Sequence, residues 1–354
     1  MASTSNILLS PLSLLYGAVT RARLALYRSG VMETRHVSAP VISVGNITTG
    51  GTGKTPLVDW LARRMASEGE RVCILTRGYG RVDQSRQVLV SDGLTLHAEA
   101  PAGGDEPRLL AEALVGVAAV LSNANRVEAA LWAKEHLNST LFILDDGFQH
   151  LSIFRNLNLV TVDSINPWGG RRLLPAGRLR EPIKGLERAD AIVLSRSNAC
   201  RDIESLRMEA ERLSKGRPVF LSRVRTLRFR QLGDDSLNEA NNSVLDLSAQ
   251  PVAAFCALGN SEAFFAHVKS DGIIVAITRR FNDHHSYTQS DIDALHRNAS
   301  ENGAVSFVTT TKDAVKLRGM RFAIPCYVVE IELVIEDDAK LIEMAKDAIQ
   351  KTRA

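Results

Sequence analysis

Apolar and polar positions along the chain alternate between two rhythms. Short runs of three to five apolar, largely β-branched residues recur at 41–44, 72–76, 118–121, 141–144, 159–162, 191–194 and 219–221. All but 72–76 are followed by Gly, Asp or Ser, and each reads as a buried strand. Between them the apolar residues fall three and four apart, as in Leu57, Val58, Leu61 and Met65, or Leu109, Leu110 and Leu114. That spacing gives helices with one buried face. Strands alternating with helices predict an α/β protein with a doubly wound, mainly parallel sheet. The rhythm breaks after residue 221. Residues 223–230 alternate apolar and basic side chains like an exposed ribbon, and 231–250 are polar without a period. A second, smaller α/β block follows from Pro251, with strands expected at 273–277, 306–309 and 326–331. Its helices are expected at 261–269, 289–300 and 338–351. The expected organisation is an N-terminal helix (1–30), a first domain (31–221), a linker (222–250) and a C-terminal domain (251–354).

The first strand runs into Gly45-Asn46-Ile47-Thr48-Thr49-Gly50-Gly51-Thr52-Gly53-Lys54-Thr55, and a helical pattern follows. Strand, glycine-rich turn, Gly-Lys-Thr and helix make a P-loop, which binds the phosphates of ATP through backbone N–H groups. Gly50, Gly51, Thr52, Gly53, Lys54 and Thr55 are the expected nucleotide-binding residues, with Lys54 on the β/γ-phosphates and Thr55 on Mg²⁺. Thr48 stands where the strict pattern has its first Gly, and Gly50-Gly51 supply the freedom instead. The strand 141–144 delivers Asp145-Asp146, as a Walker-B strand delivers a carboxylate to Mg²⁺. Asp146 is equally readable as a turn or cap residue.

The N-terminal stretch changes the picture of where the protein works. No charge occurs from Ile7 to Thr20, and Arg21, Arg23, Arg28 and Arg35 follow. Leu8, Leu12, Leu15, Val19, Ala22 and Leu26 recur at helical spacing. The run is too short to span a bilayer, and its basic residues come after the apolar part, unlike a signal peptide. Two readings stand: an amphipathic helix on an anionic membrane surface, or a helix packed on the domain's own core. The 354 residues allow two domains, and a net charge of only +3 gives no sign of nucleic-acid binding. Four scattered cysteines, with no CxxC pair, read as free thiols in a reducing compartment. No obligatory protein partner is evident.

Three further segments carry polar groups suited to chemistry. Arg77-Gly78-Tyr79-Gly80-Arg81 follows a strand end, where open α/β sheets bind ligands. Gly104-Asp105-Glu106-Pro107 opens a helical run, where carboxylates are ordinarily caps. Residues 169–182 hold Arg171, Arg172, Arg178 and Arg180, forks suited to phosphate. In the second block Asp283-His284-His285 reads as a catalytic His brought across a cleft and oriented by a carboxylate, or as a helix-start loop capped by Thr288 or Ser290. The hydroxyls of 309–311 with Lys312 and Lys316 read as a polar lining for the cleft between domains.

Taken in order, these segments resemble the tetraacyldisaccharide 4′-kinase family of lipid A biosynthesis. The resemblance covers roughly Pro40 to Lys316. It includes Gly50–Pro56, Arg77–Gly80, Gly104–Pro107, Asp145–His150, Leu173–Pro182, Asp283–His285 and Lys312–Lys316. The family often has an acidic residue where Thr311 stands. The resemblance implies ATP- and Mg²⁺-dependent phosphorylation of the 4′-hydroxyl of an acylated glucosamine disaccharide 1-phosphate. It implies a peripheral, monotopic enzyme on the cytoplasmic face of the inner membrane. It implies Asp105 and His284 as the catalytic pair, with Lys54. It makes Asn46, Arg77, Tyr79, Gln149, His150, Arg178 and Arg180 the expected substrate-binding groups, and Thr55, Asp145 and Glu106 the expected Mg²⁺ ligands. A deviant-Walker ATPase switch is a competing reading, but Thr49 stands where such proteins carry their signature lysine. A kinase of another substrate is a second.

Overall fold

The computed structural model describes residues 9–79, 81–233, 247, 249–283 and 285–353. His284 lies outside the described residues, as does most of the expected linker. The chain divides into two compact units, Met1–Arg223 with Leu333–Ala354, and Val224–Glu332.

The first unit begins with helix α1 (Ser10–Arg28) and strand β1 (Val41–Asn46). There follow α2 (Lys54–Ser67), β2 (Val72–Thr76), β3 (Val88–Ser91), α3 (Asp105–Ala113), β4 (Ala118–Ser122) and α4 (Arg126–Leu137). Next come β5 (Leu141–Asp145), β6 (Leu157–Asp163), β7 (Ala191–Ser195), α5 (Ile203–Leu213) and β8 (Val219–Gln231). The strand order is β8-β7-β6-β1-β5-β2-β4-β3, parallel except at the β3 edge. β1 is interior, with β5 and β6 as neighbours. Val44 pairs with Asp145 and Asn46 with Thr161. This register carries Asp145 to the P-loop's side.

Period-two alternation sorts the strand residues to two faces. Ile42, Val44, Ile74, Val120 and Ile143 pack under α2 and α3 with Leu57, Leu61 and Leu110. Val41, Cys73, Leu75, Leu121 and Leu144 face the other way onto Val127, Ala130 and Ala133 of α4. On that second face, α5 covers Val160, Val162, Ile192 and Leu194 through Leu206 and Ala210. Both faces are therefore covered, and this is why the strand runs are continuously apolar.

The second unit contains β9 (Val252–Cys256), α6 (Ser261–Ser270), β10 (Val275–Arg280), α7 (Gln289–Glu301), β11 (Ser306–Thr310) and most of β12 (Cys326–Ile335). Its order is β10-β9-β11-β12, all parallel. Its core holds Phe255, Phe307, Ile292 and Leu295 on one side and Phe264, Phe265 and Val268 on the other.

The division differs from the expected one in two places. Residues 222–231, expected as linker, continue strand β8. Within the second unit Arg228 and Arg230 both pair with Glu330 of β12, at 2.7 and 2.6 Å, and Arg225 pairs with Glu332. The basic alternation is therefore one edge of an ion-paired ribbon. The C-terminal helix α8 (Asp338–Arg353), expected in the second domain, belongs to the first unit. Leu341, Ala345 and Ile349 join the cluster around Leu57, Leu61 and Met65. Asp338, Lys346 and Arg353 pair with Arg64, Glu68 and Glu70. An apolar stripe specifies a helix and a buried face, but not which sheet it covers.

Helix α1 does not pack its apolar stripe on the domain's core, the second of the two readings. Ser13, Tyr16, Gly17, Thr20 and Leu24 form the face turned to the protein, and Gly17 is buried. Leu12, Leu15, Val19 and Leu26 lie on the opposite face and are 53, 62, 60 and 41% exposed. The helix thus docks mainly by small and polar side chains with Leu24, and leaves Leu12, Leu15, Val19 and Leu26 in solvent. Among the described residues, no helix is long and apolar enough to cross a membrane.

Candidate active site

The P-loop is held by a chain of side chains beneath it. Asn46 Nδ2 donates to Thr52 Oγ1 at 2.8 Å, and Thr52 lies 2.9 Å from Thr161 Oγ1. Thr161 in turn donates to the Gly45 carbonyl at 3.2 Å. Each hydroxyl has one proton, so the direction is fixed: Asn46 to Thr52 to Thr161 to Gly45. All four residues are interior to the fold. Gly50 and Gly53 have φ of 107° and 81°, the left-handed region that a side chain resists. Gly53 opens α2, so the helix N-terminus and its unpaired N–H groups face the loop. Gly45 has no room for a side chain, because a Cβ there would lie 2.6 Å from that of Phe148.

Lys54, on the first turn of α2, lies 3.6 Å from Asp146 Oδ1. Asp146 sits just past β5 with φ of 55°, which turns its carboxylate toward the P-loop. Arg180 grips it through two bonds, 2.6 Å from Nη1 to Oδ1 and 2.8 Å from Nη2 to Oδ2. Burial by itself would raise the Asp146 pKa, but the Arg180 bonds and the Lys54 charge outweigh it and hold it below the usual carboxylate range.

Asp145 behaves oppositely. It is buried, and burial followed by the neighbouring charges of Glu106 and Asp146 pushes its pKa up to about 7. Lys54 and Arg126 only partly offset this. Asp105 and Glu106 form the first turn of α3, after Gly104 with φ of 101°. Gly104 packs on Tyr79 O and Gly78, so the arginine–tyrosine loop and this helix start are one surface. There Arg77 lies over the Tyr79 ring at 5.2 Å and donates to its hydroxyl at 3.2 Å.

The crowding of Asp145, Glu106 and Asp146 suits a hard divalent cation. Among the described residues, no group of three or more His, Cys, Asp or Glu side chains closes a metal site unaided. Mg²⁺ takes one or two carboxylates and completes its shell with water and phosphate oxygens.

The expected substrate groups separate. Tyr79 is half exposed, and Arg77 stacks on it. Asn46 is fully buried, with its amide on Thr52 and its oxygen accepting from Arg180 at 3.1 Å. Gln149 Nε2 donates to the Asn46 carbonyl and to Glu181, at 2.7 and 2.6 Å. Arg178 donates to the Thr49 carbonyl. His150 pairs with Ser152 Oγ at 3.0 Å. Burial first, then Arg126, Arg155, Arg23 and Arg77, lowers the His150 pKa to about 3 and keeps it neutral. Asn46, Gln149, Arg178 and Arg180 therefore hold the nucleotide loop, leaving Arg77 and Tyr79 turned outward.

In the second unit, Asp283 and His285 each make side-chain contacts. His285 stacks on Phe281 at 4.8 Å, and its Nε2 lies 3.2 Å from Asp291 Oδ2. Asp291 also closes a capping box with Thr288 at the start of α7. Lys312 reaches Asp283 at 3.4 Å. Asp313, between the two lysines expected to line a cleft, is buried and accepts from Tyr287 OH, Ala257 N and Thr310 Oγ1 at 2.9, 3.1 and 2.7 Å.

Comparison with known proteins identifies the combination. The model of the family described as tetraacyldisaccharide-1-P 4′-kinase matches residues 5–350. The chain belongs to this family. It is 36% identical to the tetraacyldisaccharide 4′-kinase of Pelobacter propionicus, over 97% of this chain and 92% of that protein. It is 40% identical to that of Chlorobium phaeovibrioides, over 89% and 87%. A solved structure of the family member LpxK from Aquifex aeolicus, in complex with ATP, superposes with a TM-score of 0.78 at 31% identity. That match covers 98% of this chain and 100% of the other.

Family membership leaves several site residues that sequence reasoning passed over. Thr161 looks like any strand threonine, yet it closes the relay under the P-loop. Glu181, 3% exposed, joins Gln149 to Arg188, which pairs with it at 2.8 Å. Arg126 is 3% exposed, and burial, only partly offset by Asp145, lowers its pKa to about 10. What marks Arg126 out is its burial, and burial is decided by the fold.

Proposed function

We propose a division of labour for this chain within its family's reaction. The chain is a tetraacyldisaccharide 4′-kinase, transferring the γ-phosphoryl group of ATP to the 4′-hydroxyl of a tetraacylated disaccharide 1-phosphate. Gly50 to Thr55 bind the ATP phosphates, and Lys54 meets the charge that shifts toward the β/γ bridge during transfer. Thr55, Asp145 and Glu106 are the proposed Mg²⁺ ligands, the cation serving to neutralise phosphoryl oxygens. The observation that carries this reading is the buried Asp145, whose ionisation burial and the nearby Glu106 and Asp146 oppose until a cation arrives.

Asp105 is the proposed proton acceptor for the 4′-hydroxyl, at the start of α3 where the helix dipole favours its charged form. His284 is its proposed partner. Arg77 and Tyr79 are the proposed contacts for the lipid's anionic sugar headgroup. The exposed Leu12, Leu15, Val19 and Leu26 of α1 would rest in the apolar part of a membrane, placing the enzyme peripherally on the cytoplasmic face of the inner membrane. The test is incubation with labelled ATP and a tetraacylated disaccharide 1-phosphate in mixed micelles. A bis-phosphorylated lipid is expected from the wild type and none from Asp105→Ala. Lipid-independent ATP hydrolysis without lipid phosphorylation would overturn the reading.

A further inference from the structure

The segment Leu173–Arg180 lies between two parts of the molecule with different tasks. On one side it pairs with the nucleotide loop. Arg180 N donates to the Ile47 carbonyl at 2.8 Å, and Thr49 N donates to the Arg178 carbonyl at 2.7 Å. The Arg178 side chain then returns to the same loop, where Nε and Nη2 donate to the Thr49 carbonyl at 3.1 and 2.8 Å. Its guanidinium lies against Gly50, so closely that a Cβ on Gly50 would be 2.0 Å from Nη2. Gly50 is thus the only residue type that admits both this arginine and a φ of 107°.

On its other side the segment seats α1. Ser13 Oγ accepts from Ala176 N at 3.0 Å and donates to the Leu173 carbonyl at 3.1 Å. Tyr16 OH donates to the Arg180 carbonyl at 2.8 Å. Gly17 packs on the Leu173 side chain, where a Cβ would come within 2.7 Å. Two residues of one short segment, 178 and 180, therefore carry the P-loop, and the backbone of 180 carries the helix.

We infer that Arg178 is a positioning residue for the nucleotide, and that through its segment the seat of α1 sets the P-loop's readiness for ATP. This rests on the nucleotide reading of residues 50–55. A guanidinium on a carbonyl does not touch ATP. It fixes the Thr49–Gly50 peptide, and the N–H groups that follow are aimed before ATP arrives. A lysine would keep the charge but cannot give two parallel donations and cover the glycine together.

The experiment measures ATP affinity by direct binding, KM for ATP and for lipid, and vesicle co-sedimentation. The full-length proteins are wild type, Arg178→Ala, Arg178→Lys, Tyr16→Phe and Lys54→Ala. Arg178→Ala is expected to weaken ATP binding about fivefold, the scale of one partly exposed charged hydrogen bond, with lipid KM unchanged. Arg178→Lys is expected to recover less than half of that loss. Tyr16→Phe is expected to weaken ATP about twofold while vesicle binding stays at the wild-type level. Should Arg178→Ala not fold, Tyr16→Phe and the lysine variant decide. Unchanged ATP affinity with a raised lipid KM would overturn the assignment and make Arg178 a headgroup contact. Unchanged ATP affinity in Tyr16→Phe would remove the helix from the coupling. If Lys54→Ala also binds ATP normally, the nucleotide reading itself has failed; if Lys54 matters and Arg178 does not, only this inference has.

Discussion

Asp145 offers a test that reads stability and mechanism at once. The perturbation is Asp145→Asn, which keeps shape and removes charge. In the folded chain the Asp145 pKa is raised to about 7, from an ordinary value of 3.8. A carboxyl whose folded pKa exceeds its unfolded one stabilises the fold while protonated. That contribution is complete below the unfolded pKa and is lost as pH rises through about 7. At 1.36 kcal/mol per tenfold change in proton affinity this makes about 4 kcal/mol in all, of which about 2–3 kcal/mol is lost between pH 5 and 8. The assay is urea denaturation at pH 5 and 8, in EDTA and without nucleotide, followed by tryptophan fluorescence. Trp60, Trp132 and Trp168 all lie in the first unit, so the signal reports the unit that holds Asp145. Wild type should lose about 2–3 kcal/mol more than Asp145→Asn over this range. His150, held at about 3 by burial and arginines, acts with the opposite sign, but it is present in both proteins and drops out of the difference. Adding Mg²⁺ and a non-hydrolysable ATP analogue should flatten the wild-type profile and leave that of the variant unchanged. Parallel pH profiles for the two proteins would refute the claim that Asp145 carries a buried, cation-seeking charge.

Other expectations use different parts of the molecule. Lys54→Ala should lose most turnover and stay folded, since its 3.6 Å pairing with Asp146 is secondary to that of Arg180; near-normal turnover in a folded variant would remove it from the mechanism. Asp105→Ala and His284→Ala should each lower kcat strongly with little change in ATP KM, and the double variant should be scarcely worse than the poorer single; additive losses would separate the two residues. Replacing Leu12, Leu15 and Val19 together by Ser should abolish vesicle co-sedimentation with a stability change within about 0.5 kcal/mol, because the three are exposed; a large loss of stability would mean that the leucine face is packed. Asp313→Ala strands three buried donors and should cost the second unit roughly 2–4 kcal/mol, read by hydrogen exchange across 251–332; unchanged exchange would argue that the donors find other partners.

Much of this protein was legible as a string of residues because the physics involved is local. Strand runs, helix stripes and the Gly-Lys-Thr turn depend on neighbours in sequence, and an ordered set of short motifs is enough to indicate a family. The exposed leucines of α1 and their spacing were visible too. Only the tertiary structure decided which face of that helix meets the protein, since Ser13, Tyr16 and Gly17 dock through the carbonyls and side chain of a segment some 160 residues away. It likewise gave α8 to the first unit, a choice between two sheets that an apolar stripe cannot make. The arginines show the limit most clearly. Arg77, Arg178 and Arg180 carry the same charge and stand in similar loops, yet one stacks on Tyr79, one covers Gly50 and one grips Asp146. A guanidinium's task depends on which carbonyl, ring or carboxylate is brought against it, and that is a property of the folded chain.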